Sequence, residues 1–290
     1  MGEVILGSEA VREGVLTPGE LRCRYRPIYP DVHVPRAVAP TLHDRTNGAW
    51  LWSRRRGVIT GRAAAALHGS RWIDDLAPIE LIWSNNHPPS GVITRNERIG
   101  DDEIMSVDGM HVTIPARTAF DLGRFLRRDQ AVAHLDALAN ARIIRPADVL
   151  TLAERYAGAR GAKKCRTAVE LMDAGAQSPK ETWLRLLVID AGYPRPRTQI
   201  PVLDDDGFAF AYLDLGWDDV MIALEYDGEH HRTDPMQYRK DIRRIEAIQR
   251  QGWIVIRVIA GDRAEDILER LRSAWLSRGD AYIPPSRRSA

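Results

Sequence analysis

Cysteine is almost missing from this chain: Cys23 and Cys165 are the only two among 290 residues. They are far apart, form no CxxC and have no histidine clustered beside them, which excludes a disulfide framework and a zinc site built on thiolates. Long apolar runs are missing too. No window reaches the ~20 apolar residues of a membrane span, and the N-terminus lacks the basic start and apolar stretch of a secretory signal; the expected compartment is the cytoplasm. Net charge is nearly absent, at +1 from 41 Lys and Arg against 40 Asp and Glu. A polyanion would find no global field here, so any nucleic-acid contact must rest on local patches.

What is present is an ordinary globular composition, 44% hydrophobic and 28% charged, in a length that accommodates two or three domains. The order of patterns gives an α/β protein (α+β overall). A winged-helix-like unit is expected over 1–45, an α/β domain with helices over 46–175, a mixed sheet flanked by helices over 176–283, and a disordered tail over 284–290.

The densest chemistry lies between Phe210 and His231, FAYLDLGWDDVMIALEYDGEHH. It reads as two strands joined by a short acidic turn, with Met221–Asp227 apolar enough for a central strand. Strand alternation sends Ile222, Leu224 and Tyr226 one way and Met221, Ala223, Glu225 and Asp227 the other. An even-length loop around Trp217–Asp219 then places Asp214 on the face of Glu225 and Asp227. Carboxylates this close repel one another, so one holds a proton or a cation sits between them. Mg²⁺, which takes oxygen ligands, is the simplest such cation.

Helices flank this hairpin. Ser178 opens one, with Leu184, Leu187, Val188 and Ala191 as the buried stripe and Gly192 at its end. Glu181 fits a capping box with Ser178, and it also lies in line with the face turned to the sheet, where it would join the carboxylates. Asp234-Pro235 opens another helix, burying Met236, Ile242, Ile245 and Ile248. Arg239, Lys240, Arg243 and Arg244 share an adjoining stripe, either plainly solvated or holding a phosphate backbone beside the acids. Trp253–Ala260 is a strand and Glu265–Arg278 a last amphipathic helix.

At the other end, Ser8–Gly14 allows a helix turn or two. Thr17-Pro18-Gly19-Glu20 has capping-box spacing with Pro at the first helical position. Residues 26–36 alternate around a Pro30-Asp31 turn. Short helices followed by a basic hairpin describe a winged helix, with Arg22, Arg24, Arg26 and Arg36 within reach of phosphates. The plain alternative is a packing module with solvated arginines, since Glu13, Glu20 and Asp31 offset part of the charge. Between the ends, Thr60 caps a helix closed by Gly69, and strands follow at 78–83, 92–94 and 110–114. Helices are expected at 116–127, 129–140, 146–157 and 162–174. His68 and His111 have no partner at metal or triad spacing and are read as structural.

The set SPKETWLRLLVIDAG, Asp214, LEYDGEHH and YRKDIRRIEAIQRQGWIVIRV resembles the PD-(D/E)XK nuclease superfamily over about residues 177–262. It is most similar to the very-short-patch-repair-like branch, which includes a widespread bacterial domain family of unknown function. The resemblance implies a restriction-endonuclease-like sheet and a Mg²⁺ (or Mn²⁺) held by Asp214, Glu225 and Glu181, with His230 or His231 near a histidine implicated in catalysis. The superfamily's lysine falls on Asp227 here, leaving Lys180, Lys240, Arg243, a histidine or a further metal to take its place. The first 175 residues, through LTPGELRCRYRPIYPDVHVPR and VITGRAAAALHG, resemble AbiEi-type antitoxins and regulators.

Two functions follow. One is a Mg²⁺-dependent DNA endonuclease, with Glu181, Asp214, Glu225, Asp227 and His231 as the catalytic set and Arg239, Lys240, Arg243 and Arg244 on the backbone of the DNA. The other is a non-catalytic DNA-binding regulator, antitoxin-like, with a degenerate nuclease-like domain and a toxin or other protein as partner. A plain interaction scaffold stands behind both. No membrane partner is expected.

Overall fold

The computed structural model describes residues 4–142, 144–227 and 235–279, with the side chains of 235–241 excepted. The chain divides into two compact units, residues 1–174 and 175–290. The α/β class is observed: helices alternate with three sheets, one antiparallel and two mixed. No helix among the described residues is long and apolar enough to cross a membrane.

The first unit opens with β1 (Ile5–Leu6), α1 (Gly7–Arg12), α2 (Pro18–Arg24), β2 (Tyr25–Tyr29) and β3 (Val32–Pro35). The strands form an antiparallel sheet in the order β1-β3-β2. Thr17 and Glu20 make the reciprocal capping box that starts α2, satisfying backbone N–H groups that a helix start otherwise leaves unpaired. The β2–β3 turn carries Asp31 at φ 63°. Its carboxylate accepts from the Ser8 N–H at 2.8 Å and the Ser8 hydroxyl at 2.6 Å, tying the hairpin to the first turn of α1. The boundary expected near residue 45 falls inside α3 (Leu42–Trp52), which a Thr41–Asp44 capping box opens. One core joins Leu6, Val32 and Val34 to Leu51, Ile59, Ala63, Leu81 and Val112.

The remainder of this unit is a five-stranded sheet, β6-β5-β4-β8-β7, and a helical layer. Its strands are β4 (Val58–Thr60), β5 (Ile79–Ile82), β6 (Val92–Arg95), β7 (Ile104–Val107) and β8 (Met110–Thr113). The helices are α4 (Gly61–Leu67), α5 (Pro115–Phe125), α6 (Arg128–Ala141), α7 (Pro146–Arg155) and α8 (Ala162–Glu170). Thr60 does not cap α4 through its side chain. Its hydroxyl donates instead to Asp121 at 2.7 Å, and buried Glu80 on β5 takes the Arg62 N–H at 3.1 Å. A carboxylate from a neighbouring strand thus replaces the local cap. His68 is buried with its ring nitrogen 2.8 Å from the Thr113 carbonyl, and His111 meets the edge of Trp50.

The second unit is α9 (Pro179–Asp190), β9 (Arg197–Leu203), β10 (Ala209–Trp217), β11 (Ile222–Asp227), α10 (Pro235–Arg250), β12 (Ile254–Ile259) and α11 (Ala264–Ser277). Its sheet runs β12-β11-β10-β9. β9, β10 and β11 are antiparallel neighbours, and α10 carries the chain over so that β12 lies parallel to β11. A parallel pair needs such a crossover, whereas a hairpin needs only a turn. β9 is an addition to the expected order of hairpin, helix, strand and helix. Leu184 and Val188 of α9 pack with Leu215, Ile222 and Leu224 of the sheet and with Ile267, Leu271 and Trp275 of α11. A second cluster joins Ile200, Val202, Leu213 and Ala223 to Ile248 of α10 and to Trp253.

Candidate functional site

The register of β10 on β11, Leu215 opposite Leu224 and Gly216 opposite Ala223, brings Asp214 level with Glu225. The ladder ends there. The N–H of Tyr226 donates to the Asp214 carboxylate at 2.8 Å, so a side chain takes over a donor that would otherwise be orphaned. Burial pushes the Asp214 carboxyl up to about 7, with the nearby negative charges of Glu181 and then Glu225 acting in the same direction. The Tyr226 N–H and Arg244 oppose this.

Glu181 reaches this site from the first turn of α9. It is buried, and burial raises its carboxyl above the ordinary range. Ser178 Oγ accepts from the Glu181 N–H at 3.2 Å, and the Glu181 carboxylate accepts from the Ser178 hydroxyl at 2.9 Å and the Gln177 N–H at 2.8 Å. The two readings of Glu181 therefore coexist, as helix cap and as neighbour of Asp214. Glu225, buried on β11, is held by the Arg244 guanidinium at 2.9 and 3.0 Å, one nitrogen to each oxygen. Asp227, two residues on, pairs with Arg257 of β12.

The structure thus gathers Glu181, Asp214 and Glu225 and gives Asp227 its own arginine. It turns Arg244, read from the sequence as a phosphate contact, onto an acid. Arg243 is exposed. Lys180 has its ammonium 5.9 Å from the ring centre of Tyr226. Arg239 and Lys240 lie in α10, but their side chains are outside the described residues, as are His230 and His231. No local spacing in the sequence links Arg257 to the acids. Only the parallel register that sets it beside Glu225 brings it to the acids.

The resemblance to the nucleases implies Mg²⁺, which demands near-octahedral oxygen ligation. The side chains as placed do not fit that ion. Both oxygens of Glu225 are bound by a cation, and both oxygens of Glu181 accept from α9's own cap. Among the described residues no group of three His, Cys, Asp or Glu side chains is arranged to hold a metal.

A second candidate surface is α2, which buries none of its residues. Arg22 and Arg24 are exposed on it, with Arg24 3.4 Å from Glu20. Arg36 donates to the Arg22 carbonyl at 3.1 Å and Arg26 to the Val38 carbonyl at 3.2 Å. These two arginines fasten the hairpin while the other two face outward.

Two curated relatives, described as uncharacterised proteins of Mycobacterium tuberculosis (strains CDC 1551 / Oshkosh and ATCC 25618 / H37Rv), are each 29% identical over 226 residues, 78% of this chain and 83% of theirs. No solved structure matches the chain significantly. The antitoxin likeness lies further along the chain than LTPGELRCRYRPIYPDVHVPR and ends before the segment resembling nucleases. Residues 57–174, from the threshold of β4 to the end of the first unit, match the model of the AbiEi antitoxin C-terminal domain.

Proposed function

We propose that the chain is an antitoxin-like, DNA-binding regulator. The match of residues 57–174 to an antitoxin domain carries this reading. The module preceding the matched segment supports it: two helices, α1 and α2, then a hairpin, with strand order β1-β3-β2, resembles a winged helix. A helix with no fully buried residue suits a groove, and exposed Arg22 and Arg24 are placed to meet phosphates. A toxin protein is the partner this reading assigns to the matched segment. Fluorescence anisotropy with labelled duplex from upstream of the chain's own gene, beside a scrambled duplex, tests it. Arg22→Ala/Arg24→Ala should weaken binding by roughly tenfold or more and reduce the salt slope by about 2. Unchanged affinity and slope would overturn the reading.

A second reading, phosphodiester hydrolysis by the second unit with Mg²⁺ or Mn²⁺, has the nearness of Glu181 and Glu225 to Asp214 for it and the occupied oxygens of Glu181 and Glu225 against it. Supercoiled plasmid incubated with Mg²⁺, Mn²⁺ or EDTA separates the two. The regulator leaves it intact throughout, whereas metal-dependent nicking that disappears in Asp214→Ala would establish the nuclease.

A further inference from the structure

We propose that Arg244 is the resident counter-cation of the acid cluster in the second unit, occupying the Glu225 oxygens that a divalent ion would need. Glu225 is 7% exposed, and a carboxylate that deep needs a partner of opposite charge with its hydrogen bonds satisfied. Arg244 supplies both: the planar fork of a guanidinium matches the two carboxylate oxygens in one bidentate contact. A divalent ion coming to Glu225 would have to displace a donor from each oxygen and then sit against the guanidinium it had displaced, whose side chain is itself only a third exposed.

The neighbouring acid repeats the arrangement. Asp227, two residues after Glu225, carries Arg257 from the adjacent strand. Arg244 lies on α10 and Glu225 on β11, so the contact also positions α10 against the sheet, with exposed Arg243 on the same helix. Arg244 is therefore a positioning residue. The cluster's stability is independent of divalent ions, whether or not α2 meets DNA.

The test is thermal melting of the full chain in Mg²⁺, Mn²⁺ or EDTA, combined with Mn²⁺ electron paramagnetic resonance to count bound ions. Wild type should melt at one temperature in all three and bind no Mn²⁺. Arg244→Met keeps most of the side chain's bulk and removes its charge. It should melt lower in EDTA, regain several degrees with Mn²⁺ and bind about one ion. A metal-dependent rise in wild type that Glu225→Gln abolishes would overturn the proposal, as would a folded Arg244→Met that gains no ion. Should Arg244→Met fail to fold, Arg244→Met/Glu225→Gln decides. Recovery of folding in the double variant confirms the charge pairing, and a double variant no better than the single overturns it.

Discussion

The Tyr226 backbone N–H donates to the Asp214 carboxylate at 2.8 Å, at the point where β10 stops pairing with β11. A strand end and an acid site are thereby the same structural event. The strands part, a donor is freed, and a half-buried carboxylate answers it beside two others.

The first prediction concerns pH. The Asp214 carboxyl rises from an ordinary value near 3.8 to about 7 in the folded chain. Below about 3.8 both folded and unfolded states are protonated and the group costs nothing. Between 3.8 and 7 the folded state holds the extra proton, so stability falls as pH rises, by about 4 kcal/mol in total by linkage. Asp214→Asn keeps an oxygen for the Tyr226 N–H and removes the charge. It should raise the melting temperature at pH 8 and flatten the decline between pH 5 and 8.

His134 has the opposite slope in the first unit. Burial, and then the Arg62 guanidinium, hold it down to about 4. Between about 4 and 6.5 the unfolded chain binds the proton more readily, so stability conferred by neutral His134 is lost as pH falls. Hydrogen exchange measured at pH 5 and pH 7.5 should show α6 amides less protected at the lower pH, and His134→Gln should remove that difference.

Gly61 opens α4 at φ 61°, and a Cβ there would overlap the Glu80 carboxylate that binds the Arg62 N–H. Gly61→Ala should cost about 2 kcal/mol or more, from the left-handed backbone and the displaced cap together. The midpoint of urea unfolding reads this directly.

Arg117 is fully buried on α5. It donates to Glu103 at 2.5 Å, Asp121 at 3.1 Å and the Arg98 carbonyl at 3.0 Å. Arg117→Met takes one guanidinium from buried Glu103 and Asp121, which keep Arg155 and Arg124, and should cost about 3 kcal/mol. Adding Asp121→Asn should recover part of that loss, a coupling that a double-mutant cycle measures.

The elements legible in the sequence are those specified locally. The Thr17–Glu20 capping box, the Pro30-Asp31 turn, the four helices after Pro115 and the pairing of Asp214 with the Glu225 strand all follow from spacing. β4 and β7 are three and four residues long, too short to show a period, and β9 contains a proline that reads as loop. The Thr41–Asp44 box was present but uses Asp where the pattern is usually sought with Glu. Thr60 was read as a cap because its sequence context favours one, yet the cap comes from Glu80. Arg244 and Arg257 show the same limit: their partners are 19 and 30 residues away, and only the assembled sheet reveals that they bind acids.

α2 exposes Arg22, Cys23 and Arg24, while Leu21 is half-buried and lies against Gly7 of α1. Substitutions at Arg22, Cys23 and Arg24 should therefore change folding stability by only the few tenths of a kcal/mol typical of surface changes. Its outer face can thus carry a wide range of side chains on an unchanged scaffold.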